Sequence, residues 1–137
     1  MEDGCGIYRL AESMQKTCDK LDELKQRFKN VHIEDKSSVW NTEWLLAIEL
    51  EYQIDVAQAM AYSAINRRES RGAHQRLDGY EARDDVNFLK HSQAHYVADG
   101  APRIDYGEVK ITKSQPGTRA YGAAGEQAER ERNASHV

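Results

Sequence analysis

Four arginines lie within eleven residues, directly after a long apolar run, and they are the strongest candidates for chemistry in this sequence. They are Arg67, Arg68, Arg71 and Arg76, and His74 lies among them. A guanidinium group can bind a carboxylate through two parallel hydrogen bonds, which an ammonium group cannot do. No lysine occurs between residues 66 and 83. The residue types therefore indicate a segment that binds carboxylates.

Two interpretations of this arginine cluster (Arg67, Arg68, Arg71, His74 and Arg76) follow from the residues. In the first, the arginines end a solvated helix, where positive charge complements the helix dipole. In the second, the arginines and His74 form a fixed network with carboxylates and carbonyls of a neighbouring domain or subunit. The second interpretation makes these five residues a predicted interface, and the residue types alone leave both open.

The other polar residues do not make a catalytic or metal-binding pattern. His91 and His95 have the spacing of metal ligands on a helix, but they lack the glutamate of the H-E-x-x-H motif. In a strand, four residues would separate them by about 13 Å. Asp84 and Asp85 are adjacent, so they point about 100° apart on a helix and are better suited to its N-terminus. We predict no catalytic, cofactor-binding or metal-binding residue in this chain.

Composition narrows the class of protein. The 137 residues are 39% hydrophobic and 31% charged, with a mean hydropathy of -0.83 and a net charge of -4. This charge argues against a nucleic-acid partner, and no apolar run reaches the roughly 20 residues of a membrane-spanning helix. Cys5 and Cys18, with no paired framework and no signal peptide, are typical of thiols in a reducing compartment.

Two long helices are expected to position the arginine cluster. Apolar residues recur every three or four positions from Leu10 to Phe28, which predicts a first helix over residues 11–28. Residues 31–40 have no period and are expected to be a linker. Asn41 or Thr42 can cap a second helix over residues 42–69, in which residues 53–55 are a candidate break. Gly72 is the expected stop.

The period of the apolar residues changes after residue 84. The pattern predicts a short helix over residues 84–90 and a β-hairpin that pairs residues 93–98 with 103–109 around Asp99-Gly100-Ala101-Pro102. The predicted fold class is mainly α, a helical bundle of two to three helices followed by a short β-hairpin and a disordered tail. We expect one domain at residues 1–122 and a disordered tail at residues 123–137.

The sequence R-E-S-R-G-A-H at residues 68–74 resembles a signature near the C-terminus of the succinate dehydrogenase and fumarate reductase flavoprotein subunits. Seven further segments resemble the bacterial quinol:fumarate reductase branch: residues 2–9, 14–17, 41–42, 83–91, 98–100, 109–112 and 119–122. Together they cover residues 1–122. The sequence departs from the family at residues 114–117, where two prolines are common.

The resemblance implies a C-terminal helical domain of a much longer subunit, with a scaffolding and docking role. It implies no cofactor in this chain and FAD in the parent subunit, which takes electrons from quinol through iron–sulfur clusters and reduces fumarate in anaerobic respiration. The implied partners are the flavin-binding domain of the same subunit, the iron–sulfur subunit and, indirectly, the membrane anchor subunits. The implied location is the cytoplasmic face of the inner membrane.

Two alternatives remain at this point. The C-terminal domain of L-aspartate oxidase shares an arginine-rich motif of the E-S-R-G type, but it usually lacks the hairpin and the V-K-I-T segment found here at residues 109–112. A stand-alone helical interaction module could use the same arginines. We do not expect the chain by itself to reduce fumarate.

Overall fold

The computed structural model of the chain describes residues 1–113, which form four helices and four strands. The tail predicted at residues 123–137 lies outside the described residues. The elements in chain order are α1 (Glu2–Cys5), β1 (Tyr8–Arg9), α2 (Ala11–Phe28), α3 (Thr42–Asn66), β2 (Gln75–Arg76), α4 (Asp85–Phe88), β3 (Lys90–His95) and β4 (Arg103–Glu108). The predicted class, mainly α with a short hairpin, is confirmed.

The two long helices begin where the sequence predicted. The bounds of α2 agree with the predicted helix at both ends. At the start of α3 the Asn41 side chain accepts a hydrogen bond of 2.8 Å from the Trp44 backbone N–H, so Asn41 is the N-cap. The candidate break at residues 53–55 was wrong, because α3 is continuous there and Ile54 is buried.

The predicted end of α3 was also wrong. The helix ends at Asn66, because Arg67 has an extended backbone (φ -84°, ψ 103°) that turns the following residues away from the helix axis. Gly72 does not stop the helix. It has a φ of +59° in the tight turn between Arg71 and His74, a conformation that favours glycine.

The core lies between α2 and α3, and α1 covers one end of it. Alanines on α3 let the two helices approach closely. At Gly4 of α1 an added Cβ would lie 1.8 Å from Thr17 Oγ1, so only glycine fits that contact. The buried apolar residues of this core are Cys5, Met14, Cys18, Leu21, Ala61 and Ala64.

A polar network beside the core joins α2, α3 and the hairpin connection. Gln58 Nε2 and the Tyr62 hydroxyl each donate a hydrogen bond of 2.6 Å to Asp22. Burial and the Asp22 carboxylate raise the pKa of Tyr62, so the phenol stays protonated. Lys25 donates to Gln58 Oε1 at 3.1 Å and to the Val97 carbonyl at 3.2 Å.

The hairpin is confirmed with a shifted first strand. Residues 90–95 of β3 pair antiparallel with residues 103–108 of β4, from Lys90 opposite Glu108 to His95 opposite Arg103. Residues 96–98 were predicted to continue the strand, but the Val97 carbonyl bonds to Lys25 on α2 instead of to a strand partner. This contact lies two residues beyond the end of β3.

Two short features complete the fold. The short helix α4 is confirmed over fewer residues than predicted, and the Asp84 side chain caps it by accepting from the Asn87 N–H at 3.0 Å. The parallel pairing of β1 with β2 was not predicted, because a two-residue strand has no period. It brings Arg9 level with Arg76 and so ties the N-terminal segment to the arginine cluster.

Candidate functional site

The arginine cluster is organised around a buried carboxylate, Glu69, whose exposed fraction is 0%. Arg67 Nε lies 2.9 Å and Arg71 Nε 2.8 Å from Glu69 Oε1, while Arg71 Nη2 and the Asp84 backbone N–H donate to Oε2 at 3.0 and 2.8 Å. Burial alone would raise the pKa of Glu69, but these hydrogen bonds and the two guanidinium charges lower it overall. Glu69 is therefore an ionised carboxylate with both oxygens bonded.

Arg71 binds a second carboxylate at the start of α4. Its Nη2 lies 2.6 Å from Asp85 Oδ1. The other oxygen of Asp85 accepts from Arg83 Nε at 3.0 Å. The hydrogen bonds that Arg71 donates to Glu69 and Asp85 raise the pKa of Arg71, and the hydrogen bonds that Asp85 accepts from Arg71 and Arg83 lower the pKa of Asp85. Both shifts stabilise the charged forms, so the pair stays ionised.

Arg67 connects the arginine cluster to the hairpin. Its Nη1 donates to Ser92 Oγ at 2.9 Å, and its Nη2 donates to the Phe88 carbonyl at 2.5 Å. The guanidinium carbon lies 5.7 Å from the centre of the Phe88 ring, which is the range of a cation–π contact. One side chain therefore holds the end of α3, the end of α4 and β3 together.

Arg76 is buried, with an exposed fraction of 2%, and its guanidinium nitrogens all donate hydrogen bonds to acceptors of the same chain. It makes a two-pronged ion pair with Asp78, at 2.8 Å from Nε and 2.7 Å from Nη2. Its Nη1 donates to the carbonyls of Ile65 and Arg67, at 3.3 and 3.1 Å, where α3 ends. Asp78 also accepts the Ala11 N–H at 2.7 Å, so this pair links the end of α3 to the start of α2.

His74 is held as a neutral ring by two contacts. Arg9 Nη1 lies 2.6 Å from Nδ1, and Nε2 lies 3.0 Å from the Arg67 carbonyl. A guanidinium can only donate, so Nδ1 accepts and Nε2 carries the proton that is donated to the carbonyl. Burial first, and then the charges of Arg9, Arg76 and Arg67, lower the pKa of His74.

Arg68 is different from the other members of the cluster. Its side chain is exposed, and within residues 1–113 it makes no ion pair and no hydrogen bond. The three buried or half-buried arginines of the cluster, in contrast, bind carboxylates of their own chain. The residue types thus predicted carboxylate pairing correctly. Contact of the cluster with another domain or subunit stays a prediction.

Sequence reasoning missed the residues that complete the network. Asp84 was treated as a helix-end residue, and Glu69, Asp78 and Arg9 were given no part in a polar network. Two of the carboxylates lie two positions from the arginine that they bind, Glu69 from Arg67 and Asp78 from Arg76. Such spacing brings side chains together only in extended or turning backbone, whereas a helix was expected as far as residue 69. The glutamate between arginines in R-R-E-S-R at residues 67–71 is the feature of the sequence that indicates ion pairing within the segment.

The remaining candidates are placed apart from this network. His91 and His95 both lie in β3, and His95 Nε2 is 3.5 Å from Asp105. Among residues 1–113, no three His, Cys, Asp or Glu side chains are arranged to hold a metal ion. Cys5 and Cys18 are free and buried, and burial raises the pKa of Cys5 and raises that of Cys18 to about 11. Both are therefore protonated thiols at neutral pH.

Comparison with known proteins places the chain in a family. Residues 1–121 match the family described as fumarate reductase flavoprotein C-term. The chain is 65% identical over 123 residues to the fumarate reductase flavoprotein subunit of Proteus vulgaris, covering 89% of this chain and 21% of that one. It is 57% identical over 131 residues to that of Escherichia coli K12, covering 95% and 22%.

A solved structure agrees in fold. An E. coli quinol fumarate reductase mutant is 60% identical and matches with a TM-score of 0.83, covering 86% of this chain and 20% of that one. The chain thus spans about one fifth of the length of the curated relatives it matches. The chain belongs to the fumarate reductase flavoprotein C-terminal family, as its motifs predicted.

Proposed function

We propose that the chain is the C-terminal scaffolding and docking part of a fumarate reductase flavoprotein subunit. One observation carries the proposal, namely that residues 1–121 match the C-terminal family while this chain aligns with only 21–22% of the length of the relatives at 57–65% identity. The chemistry then belongs to a whole subunit, in which electrons from quinol pass through iron–sulfur clusters to FAD and on to fumarate. The family match favours this function over that of an L-aspartate oxidase domain.

FAD is proposed to bind in the part of the subunit outside this chain. The groove between Lys25, Asp55, Gln58 and Tyr96 has a volume of about 190 Å³. Sites for drug-sized ligands have roughly 300 to 1,000 Å³. FAD is larger than such a ligand, so this groove does not fit it.

The role proposed for the buried arginines is to hold the shape of a docking element. Arg67, Arg71 and Arg76 join the end of α3 to the hairpin, to α4 and to α2 through the bonds described above. A rigid surface loses less conformational entropy on binding. The cluster is proposed as an interface in which Arg68 makes the direct contact and the other arginines and His74 fix its position.

The proposed partners are the flavin-binding domain of the same subunit, the iron–sulfur subunit and, through it, the membrane anchor subunits. The proposed location is the cytoplasmic face of the inner membrane. Within residues 1–113, no helix combines the length and the apolar character needed to cross a bilayer.

A chimeric subunit tests the proposal. This chain would replace the matching region of the E. coli flavoprotein subunit, to which it is 57% identical. We expect the chimera, expressed with its partner subunits, to bind flavin and to oxidise a reduced viologen dye with fumarate. A subunit that lacks the region should be inactive. Equal activity with and without the region, or a folded but inactive chimera, would contradict the proposal.

A further inference from the structure

The ring of His74, which directly precedes β2, lies among three arginines from different parts of the fold. Arg9 belongs to β1, Arg67 follows α3 and Arg76 belongs to β2, and the positive charges of all three act on the ring. Within residues 1–113, the ring nitrogens bond to Arg9 Nη1 and to the Arg67 carbonyl, and to no carboxylate. A proton added to the ring would therefore be repelled from three sides and would gain no anionic partner.

The two carboxylates that pair with the arginines beside His74 do not contact the ring. Glu69 accepts from Arg67 and Arg71, and Asp78 accepts from Arg76. Burial raises the pKa of Glu69, but the hydrogen bonds lower it overall, and the hydrogen bond from Arg76 lowers the pKa of Asp78. Both carboxylates thus stay ionised at the pH at which a histidine takes up a proton, so their charge does not change with that of the ring.

The contact between Arg9 and His74 exists only while the ring is neutral. Arg9 Nη1 lies 2.6 Å from Nδ1, and a guanidinium group donates but cannot accept, so Nδ1 carries no proton. A proton on Nδ1 would bring two donors and two positive charges together at that distance. Arg9 otherwise bonds within its own segment, from Nε to the Gly6 carbonyl at 2.6 Å and from Nη2 to the Cys5 carbonyl at 3.1 Å. If the contact with His74 breaks, the Arg9 side chain therefore stays with the N-terminal segment.

The pairing of β1 with β2 is short and depends on few bonds. Each strand has two residues, and two backbone hydrogen bonds of 3.0 Å join them, from the Gln75 N–H to the Ile7 carbonyl and from the Leu77 N–H to the Arg9 carbonyl. An isolated pair of strands is at best marginally stable in water. Helix α1, in contrast, is packed closely on α2. Loss of the arginine–histidine contact would thus open the strand pairing and leave the helices in place.

We propose that Arg9 and His74 form an acid-sensitive latch, in which protonation of His74 releases β1 from β2. Protonation and opening favour each other, because they share one thermodynamic cycle. At a pH below both pKa values, the open population is larger by about tenfold for each pH unit between the pKa of His74 in the closed form and that in the open form. The latch lies wholly within residues 1–113, so it does not rest on the proposed function.

Nuclear magnetic resonance on the full chain of 137 residues tests the latch at single residues. The ring protons of His74 report its pKa, and hydrogen exchange at the Gln75 and Leu77 amides reports the strand pairing. Both would be followed from about pH 7 to about pH 4.5, with exchange corrected for its intrinsic pH dependence. We expect the pKa of His74 to lie below 6.5 and the two amides to lose protection by at least about threefold as the pH falls through it. The amide of Leu21, in the core of α2, should lose less.

Three variants separate the latch from a general effect of acid. His74→Gln keeps a neutral side chain that can accept from Arg9, so the protection of the two amides should no longer depend on pH. Arg9→Gln removes the cation that faces Nδ1, so the pKa of His74 should rise towards 6.5 and the two amides should be poorly protected at every pH. Arg27→Gln, at an exposed arginine of α2, is the matched control and should change neither measurement.

Several results would overturn the latch. Constant protection of Gln75 and Leu77 while His74 takes up its proton would show that the strand pairing does not need the contact. An equal loss of protection at Leu21 would show that acid unfolds the whole chain and not this pair of strands. A pKa of His74 at or above 6.5, a pKa that Arg9→Gln leaves unchanged, or the same pH dependence in His74→Gln would show that His74 is not the group that responds to acid.

Discussion

The arginine cluster and the outer face of α3, formed by the exposed residues Leu45, Tyr52, Val56 and Met60, differ in what the chain itself supplies to them. The sequence of the cluster predicts an interface, yet Arg67, Arg71 and Arg76 bind carboxylates and carbonyls of their own chain. The outer face looks like ordinary helix sequence, yet its apolar side chains are exposed. Charged side chains can therefore find their ion-pair partners within the same segment of chain, whereas an exposed apolar surface is buried only by contact with another protein surface.

The largest loss of stability is expected from a substitution of Glu69, at the centre of the arginine cluster. Glu69→Ala leaves the guanidinium groups of Arg67 and Arg71 buried or half-buried without their shared carboxylate. Removing one partner of a buried ion pair costs about 3–5 kcal/mol. Urea unfolding of the purified chain measures the change in the free energy of unfolding. Glu23→Ala, at an exposed position on α2, is the control. Similar unfolding of both variants would show that the cluster does not hold the fold.

The next largest loss of stability is expected on the inner face of α3, and none is expected on its outer face. Ala61 is 0% exposed at the contact with α2, so Ala61→Leu overpacks the core and should cost about 1–3 kcal/mol of unfolding free energy. Val56→Leu adds one carbon on the outer face, where the side chain is 59% exposed, and should leave the stability of the isolated chain unchanged. Thermal unfolding followed by circular dichroism compares them. A destabilising Val56→Leu would show that the outer face is already packed within this chain.

A smaller effect is expected from His74, which should make the free energy of unfolding depend on pH. Its pKa in the folded chain lies below the ordinary value of 6.5, so the unfolded chain takes up the proton first as the pH falls. The free energy of unfolding is therefore at its full value above pH 6.5 and decreases below it. His74→Gln should flatten this slope in urea titrations between pH 7.5 and 5.5. An unchanged slope would mean that His74 is not held neutral.

The smallest effect is expected at Arg68. Arg68→Ala should leave the unfolding free energy unchanged, because the side chain is exposed and has no ion-pair partner within residues 1–113. If Arg68 docks on a partner carboxylate, the substitution should weaken association with the iron–sulfur subunit about two- to fivefold, and less at high salt. Surface plasmon resonance with the chimeric subunit measures this. Unaltered affinity at low salt would remove Arg68 from the proposed interface.

The regular elements of the fold could be predicted because their side chains repeat with a period. The stripe of α2 gave both of its ends, and the alternation around Ile104 and Tyr106 gave the hairpin. The network around Glu69 could not be predicted in the same way. It depends on the extended backbone at Arg67 and on the turn at Gly72, neither of which has a periodic signature.

The outer face of α3 could have been predicted, since its apolar residues were already in view. The predicted helical bundle did not separate the two faces of this helix, because helical spacing shows that residues share a face but does not show what covers it. Only the structure separates Ile54, which packs inward, from Val56, which faces outward.

Hydroxyl-radical footprinting tests most directly which region receives the rest of the subunit. Tyrosine, methionine and tryptophan oxidise readily, so Tyr52, Met60 and Trp44 report on the outer face, and Tyr80, which stacks on Arg76, reports on the cluster. Oxidation would be compared between the isolated chain and the chimeric subunit. We predict strong protection of the outer-face residues and little change at Tyr80. Protection of Tyr80 with free oxidation of Tyr52 and Met60 would show that the rest of the subunit covers the arginine cluster and leaves the outer face of α3 open.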